Sequence, residues 1–515
     1  MKKLVVCFDG TWNTLGNTDE GVPAPTNVAD LEKYIKSGPS VKTFYIAGVG
    51  TSGGKLKRLY EGSTGAGLTK DLGQGYRWLA ENYQPGDKIY FFGFSRGSYT
   101  ARSLAGMIGS VGLMDLTGSS LSKNERKRAV NSAMDAYKGN KKKLSRNQEV
   151  GAIAPVKKKY LEYLRGTGAV PIQFLGVWDT VGALGIPDDF GFWKFAFGNL
   201  ARYKFHDTRL GEIVKNACHA VAIDERRVDF RPTLWTDIDA HAGQNIEQVW
   251  FTGVHGDIGG SYADTDLGDL TLKWMMQAAK KAGLAFKPGV LTALKGKPDG
   301  KLHNSIRNVF KKRPTIPRNV PNLATAGPDL VSASVGLRRA KLSDYWATTT
   351  LDVGQTSDWI TIAAEQHWAR TGIYLEAGGT YEFTAEGEWM DASLEATPAG
   401  NKKGIRWGKA AQKAADALGG FLSLIRRLPD AEKGKSKLVR RYEKAPWFSL
   451  IGVVANGDEI AKWKQKAVLY EKFKIGLNAQ KAINRSGYLF CYANDAWAFY
   501  KNNSGAIKLK VSRIG

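Results

Sequence analysis

The stretch Lys88-Ile-Tyr-Phe-Phe-Gly-Phe-Ser-Arg-Gly-Ser-Tyr-Thr-Ala-Arg-Ser-Leu-Ala-Gly-Met-Ile108 constrains the fold more than any other part of the chain. Its apolar run, Ile89 to Phe92, reads as a buried strand. Gly93-Phe94-Ser95-Arg96-Gly97 reads as a tight turn, and the Ala- and Leu-containing continuation as a helix. A serine on such a turn presents its hydroxyl, and the flanking glycines leave space where a Cβ would clash. The helix that follows aims its first N–H groups at the place where an oxyanion would form. The pattern predicts nucleophilic attack by Ser95 on an ester. A second Gly-x-Ser-x-Gly, Gly50-Thr51-Ser52-Gly53-Gly54, also follows an apolar run, Phe44 to Ala47. Lys55, Lys57 and Arg58 come next where a helix would need apolar residues, so that segment is expected to be a flexible glycine loop.

At 515 residues the chain is too long for one core, and it divides by pattern. Apolar runs at Leu4 to Phe8, Thr43 to Ala47, Ile89 to Phe92, Ile172 to Trp178 and Val249 to Gly253 alternate with helical patterns. Those lie at Asp71 to Tyr83, Tyr99 to Ile108, Lys157 to Arg165, Gly211 to Val221 and Asp269 to Ala282. The alternation predicts an α/β domain over 1–345, with a mostly parallel sheet covered by helices on both faces. Its stretch 121–160 is a basic, polar excursion, and 286–345, with Pro314, Pro317, Pro321 and Pro328, reads as a loop-like exit. From 346 to 515 short alternating runs predict an all-β sandwich. A basic insertion at about 398–445 interrupts it, in which Trp407, Ala411, Ala414, Leu418, Leu422 and Ile425 share one helical face.

Three cysteines (Cys7, Cys218, Cys491) stand in apolar contexts without metal or redox spacing, which excludes a disulfide framework. Too few apolar residues precede Asp9 for a signal peptide, and no run of about 18 apolar residues exists to span a membrane. The chain is therefore expected to be cytoplasmic where it is made. The net charge of +25 calls for an anionic partner. With no zinc finger, RNP motif or helix-turn-helix, an anionic phospholipid bilayer is expected rather than nucleic acid.

A serine nucleophile needs a base, and the base an orienting carboxylate. His255 ends the run Val249-Trp-Phe-Thr-Gly-Val and opens a glycine-rich loop, Gly253-Val-His-Gly-Asp-Ile-Gly-Gly260. His219 falls in an expected helix, and His206, His241, His303 and His367 lack a strand-end context. Asp179 follows Phe174-Leu-Gly-Val-Trp178, which gives the order Ser95, Asp179, His255. Asp257 competes for the acid role, although its two-residue spacing from His255 better suits a loop-stabilising bond. For the oxyanion, one donor is the N–H of Arg96. The other is Gly10 or Thr11 in Phe8-Asp9-Gly10-Thr11-Trp12-Asn13, a loop that Asp9 would orient. An aspartyl-phosphate reading of Phe-Asp-Gly-Thr requires an aspartate two positions before Asp9, where the chain has Cys7. Catalysis is expected to need no cofactor.

Taken together, Phe8-Asp-Gly-Thr-Trp-Asn13, Gly48-Val-Gly-Thr51, the turn at Ser95 with Thr100-Ala-Arg102, Val177-Trp-Asp-Thr-Val181, Ile223-Asp-Glu-Arg-Arg227 and Gly253 to Gly260 resemble one family. It is the α/β-hydrolase domain family that includes the phospholipase effectors of the type VI secretion system. The resemblance implies a serine phospholipase or esterase with a Ser95–Asp179–His255 triad, delivered into the envelope of rival bacteria. A secretion-spike protein and an immunity protein would be its partners. The C-terminal segment Ala493-Asn-Asp-Ala-Trp-Ala-Phe-Tyr-Lys-Asn-Asn-Ser-Gly505 resembles the calcium-dependent galactose-binding bacterial lectins. That resemblance implies carbohydrate binding and a Ca2+ held by Asp495, Asn502, Asn503 and the carbonyls of Phe499 and Tyr374. Two other readings stay open: a soluble carboxylesterase, and a glycan- or envelope-binding protein with a hydrolase-like body.

Overall fold

The computed structural model describes residues 1–11, 13–48, 65–118, 120–144, 163–164, 170–182, 210–235, 243–307, 310–311, 314–401, 440–455 and 470–515. Ser52, Trp12, His206, His241, most of Lys157 to Arg165 and the helical face from Trp407 to Ile425 lie outside the described residues.

Six strands form one parallel sheet: β1 (Lys3–Phe8), β2 (Val41–Ile46), β3 (Lys88–Phe94), β4 (Ile172–Trp178), β5 (Asn216–Ala222) and β6 (Asn245–Phe251). Their order is β2-β1-β3-β4-β5-β6. Both faces are buried, as the alternation along β1 records. Leu4, Val6 and Phe8 join one core with helices α2 (Gly65–Asn82), α3 (Arg96–Val111) and α4 (Lys123–Leu144). Val5 and Cys7 join another with α1 (Asn27–Tyr34) and α6 (Asp266–Lys281). The basic excursion after residue 121 thus begins as a core helix, since α4 buries Ala129, Val130, Ala133, Met134 and Tyr137. Strand order reverses between β1 and β3, and in open α/β sheets that is where a crevice opens beyond the carboxyl ends.

One element differs in kind from its expectation. Gly211 to Val221 reads as a helix, yet β5 is a central strand and His219 lies within it. A strand buried on both faces loses the polar alternation that would identify it, and a short apolar run then fits either period. The expected loop-like exit also holds a helix, α7 (Ala333–Lys341), capped by Ser332, whose Oγ accepts the Ser334 N–H.

Two mostly antiparallel sheets build the C-terminal region. One runs β7 (Ile360–Ala363), β15 (Asn503–Arg513), β9 (Thr380–Asp391), β10 (Leu394–Ala396), with β13 (Asn478–Ala482) also on β9. The other runs β12 (Glu471–Lys474), β11 (Leu450–Ala455), β14 (Gly487–Ala493), β8 (Ala369–Leu375) and a short strand at Thr349–Thr350. Ile362, Phe383, Trp389, Leu450, Leu489 and Leu509 fill the space between them. The outer face of the second sheet is also buried: Ile451, Val453, Tyr488, Phe490 and Tyr492 share a cluster with Val221, Ile223, Trp250, Ile316, Val320 and Leu323. Among the described residues no helix is long and apolar enough to cross a membrane.

Candidate active site

Ser95 joins β3 to α3 with φ 57° and ψ −121°, a backbone state that a non-glycine residue adopts only when its surroundings impose it. They do so by close packing. A Cβ on Gly97 would stand 2.1 Å from the Phe8 carbonyl oxygen, and one on Gly93 would stand 2.7 Å from that of Gly97. The Ser95 N–H donates to the Trp178 carbonyl at 3.0 Å, and Ser98 Oγ donates to the carbonyls of Gly93 and Trp178. The elbow is thereby fixed between the ends of β1 and β4.

Asp179 ends β4 and His255 opens a short helix, α5 (His255–Gly259). Their side chains meet, with His255 Nδ1 2.6 Å from Asp179 Oδ2. The imidazole packs between Phe94, at 4.6 Å between ring centroids, and Phe230, at 4.9 Å. Phe94 directly precedes Ser95, and among the described residues no hydrogen bond joins Ser95 Oγ to the His255 ring. Apo catalytic contacts of this kind often tighten only with substrate. Burial lowers the His255 pKa from its ordinary value, against the opposing Asp179 hydrogen bond. It is thus biased toward the neutral imidazole that a general base requires.

Three further groups hold this pair, and the sequence alone gave them no role. Arg318 donates through Nη1 to Asp179 Oδ1 at 2.8 Å and through Nη2 to Oδ2 at 3.1 Å. Burial pushes the Asp179 carboxyl up, but the Arg318 charge and the His255 hydrogen bond outweigh it and hold the group well below the usual carboxylate range. Glu225 accepts the His255 N–H at 3.2 Å and is itself paired with Arg227 at 2.8 Å. Among the described residues Asp257 makes no hydrogen bond to the His255 ring. It accepts the Val254 N–H at 2.9 Å, the expected loop bond, and faces His303 Nδ1 at 2.6 Å, while Tyr262 stacks on His303. His219 is structural: its Nε2 accepts the Thr180 N–H, and burial drives its pKa down to about 3.

The loop after β1 reaches the elbow, since a Cβ on Gly10 would stand 3.3 Å from Ser95 Cβ. The Gly10 N–H, however, donates to Asp9 Oδ1 at 2.6 Å, because the buried carboxylate takes the nearest donor. Asp9 also accepts from Thr26 Oγ1 at 2.7 Å and from Tyr45 Oη, so it ties the loop to α1 and β2. Thr11 is left as the candidate oxyanion donor on this loop beside Arg96, and Thr11 Oγ1 is buried without a hydrogen-bond partner.

In the sandwich the expected cation ligands separate into two groups. Asp495 Oδ2 and Asn503 Oδ1 are buried oxygens without partners, and Asp391 faces Asn503 across the β9–β15 pair. Asn502 donates to Asp391 Oδ1 at 2.8 Å, and the Phe499 carbonyl accepts the Asn502 N–H at 3.0 Å. Burial raises the Asp495 carboxyl to about 6, which a bound cation would reverse. These oxygens suit a hard cation such as Ca2+. Tyr374 does not join them. It pairs with Tyr488, whereas Ala369 pairs with Cys491, nearer Asp495, so Tyr374 lies on the order of 15 Å further along β8.

The sheet, the serine at its strand-to-helix turn and the facing histidine–aspartate pair define an α/β-hydrolase-like protein. Residues 2–278 match the family model of the type VI secretion system phospholipase effector Tle1-like catalytic domain, and the chain belongs to that family. It is 29% identical over 251 residues to the uncharacterized protein YEL023C of Saccharomyces cerevisiae. That alignment covers 46% of this chain and 33% of the yeast protein, so the chain spans a third of that relative's length. Among solved structures it is similar to the Tle1 effector bound to the VgrG spike of the type VI secretion system, with TM-score 0.32 and 16% identity over 61% of this chain and 78% of that one. It is also similar to the N-terminal domain of EclA, a PllA-like lectin, with TM-score 0.18 and 16% identity over 31% of this chain and 94% of that one.

Proposed function

We propose that this chain is a serine phospholipase of the A type, acting as an antibacterial type VI secretion effector. The observation that carries the reading is the 2.6 Å contact of His255 Nδ1 with Asp179, at the strand ends that also bear Ser95. In this mechanism His255 Nε2 takes the Ser95 proton as Oγ attacks an acyl carbonyl of a phospholipid. The N–H groups of Arg96 and Thr11 receive the oxyanion, and Asp179 stabilises the imidazolium. His255 then protonates the leaving alkoxide, and water activated by His255 releases the fatty acid and frees Ser95.

The net charge of +25 favours an anionic bilayer as the working surface. Delivery into a target-cell envelope, a spike-protein partner in the producer and an immunity partner belong to the same reading. For the sandwich we propose carbohydrate binding with Ca2+ on Asp495, Asn503 and Asp391, where the ion would meet the Asp495 and Asn503 oxygens that lack hydrogen-bond partners. A Ca2+-dependent rise in melting temperature, reversed by chelator and absent in Asp495→Ala, is the expected result.

Fatty-acid release from anionic phospholipid vesicles by wild type and Ser95→Ala tests the main reading. Release by the wild type that Ser95→Ala abolishes is expected. Release from soluble esters but not from vesicles would replace the phospholipase with a carboxylesterase. No release from either substrate would leave an envelope-binding protein with a hydrolase-like body.

A further inference from the structure

Each carboxylate that touches His255 is itself held by a guanidinium. Glu225, on the backbone N–H, is paired with Arg227, which also lies 3.5 Å from the Phe230 ring centroid. Asp179, on Nδ1, is paired with Arg318. The second pair is unusual in where its cation comes from. Arg318 lies outside the matched region 2–278, in the proline-bearing stretch that leaves the α/β body. It is 4% exposed, and among the described residues its guanidinium donates to both oxygens of Asp179, to the Ala222 carbonyl at 2.6 Å and to the Phe230 carbonyl at 2.5 Å. The Ala222 N–H donates to the same Oδ1, so the carboxylate plane is set on one side and Oδ2 is aimed at His255.

The segment carrying Arg318 is pinned at both ends, and each pin involves the sandwich. The Thr315 carbonyl accepts Trp368 Nε1 at 2.9 Å, and the Leu323 N–H donates to Tyr488 Oη at 2.9 Å. Between the pins Ile316 and Val320 are buried against the sheet that holds Tyr488, Phe490 and Tyr492.

We propose that Arg318 is the positioning residue of the Asp179–His255 pair and that the sandwich, through Trp368 and Tyr488, holds it in place. The C-terminal domain is then a working part of the catalytic centre and not only a tether. This rests on the hydrolase reading above. A fork on both carboxylate oxygens fixes the rotamer of Asp179 and keeps it ionised. Its charge also opposes a second positive charge on His255, so the base stays neutral to lower pH than Asp179 alone would allow. The charged groups facing His255 are Asp179 from β4, Glu225 and Arg227 from the loop after β5, and Arg318. Asp257 and His303 pair with each other behind α5.

The test uses the full chain as wild type, Arg318→Gln, Arg318→Lys, Trp368→Phe and Tyr488→Phe. It reads kcat and KM on a soluble p-nitrophenyl ester across pH, with the His255 imidazole titrated by NMR alongside. Arg318→Gln is expected to lower kcat by about 10²-fold with KM little changed, as a misplaced catalytic group does. Its acidic limb should move to higher pH by about one unit, with partial recovery in Arg318→Lys. Trp368→Phe and Tyr488→Phe should move kcat and the limb in the same direction by smaller steps. Wild-type rate and an unmoved limb in Arg318→Gln would overturn the proposal while leaving the hydrolase intact. If Arg318→Gln does not fold, an unmoved limb in folded Arg318→Lys and both pin variants overturns it instead. If the wild type cleaves no ester, the hydrolase reading has failed, and the NMR titration still decides: a His255 pKa unchanged in Arg318→Gln rejects the positioning role.

Discussion

The ends of β1 and β4 each bury an aspartate beside the elbow, and the pKa values of the two carboxyls are shifted in opposite directions. Asp9 receives Tyr45 Oη, Thr26 Oγ1 and the Gly10 N–H, all neutral donors, and burial still raises its pKa to about 6. Asp179 is at least as buried, yet Arg318 and His255 hold it well below the ordinary range. Neutral hydrogen bonds do not offset full desolvation of a carboxylate, whereas an apposed guanidinium does. The β1 end is therefore suited to holding a loop and the β4 end to stabilising a transient cation.

Substitutions that strain this contrast should differ in size. Asp179→Asn should lower kcat about 10⁴-fold, since the amide no longer fixes the imidazole tautomer, and steady-state ester kinetics would show it. A loss below about tenfold would mean that the charge of Asp179 is not used. Gly97→Ala strikes both ends together, because the new Cβ would meet the Phe8 and Asp9 carbonyl oxygens at 2.1 and 2.6 Å. It should cost about 3 kcal/mol or more in denaturant unfolding and displace the elbow. Tyr45→Phe should cost about 2 kcal/mol at pH 8, where Asp9 is ionised, and about half that at pH 5, where it is protonated. Activity in that variant should fall less than tenfold.

The smallest effect is on stability against pH. The Asp9 pKa is raised on folding, so its contribution is fully present below its unfolded value and is lost as pH rises through about 6. The Asp179 pKa is lowered, so its contribution is present above the unfolded value and is lost only as pH falls through the depressed one. Of these two carboxyls only that of Asp9 should titrate between pH 4 and 7. Removing its carboxylate with Asp9→Asn should reduce the fall of the unfolding free energy across that window, whereas Arg318→Gln, by leaving burial of Asp179 unopposed by a guanidinium, should steepen it.

The candidate serine, acid and base stood out because each follows an apolar strand and opens a glycine-bearing loop, a local signal that needs no knowledge of distant contacts. The alternating runs of the sandwich, such as Thr380 to Ala385 and Ile507 to Val511, were legible for the same reason. His219 was not, because a strand buried on both faces has no alternation left to read. Gly10 was equally placed with Thr11 as an oxyanion donor until the turn showed its N–H bound to Asp9. Arg318 could not be found by pattern at all. It sits among Pro314, Pro317 and Pro321, and its partner Asp179 is 139 residues away. Glu225 and Arg227 stood in a motif that set them apart but gave no hint that the His255 backbone N–H would meet them.

The shared cluster between sheet and sandwich has a consequence for the order in which the molecule comes into being. Ser95, Asp179 and His255 have all left the ribosome 233 residues before Tyr488 does. At about 5–20 residues per second that interval is roughly ten to fifty seconds. Through it Trp250, Val221 and Ile223 lack their apolar cover, and Leu323 lacks the hydroxyl that receives its N–H. On the proposed reading the candidate centre of this chain is completed last, so a chain cut short in synthesis would lack the sandwich contacts that hold the Arg318 segment.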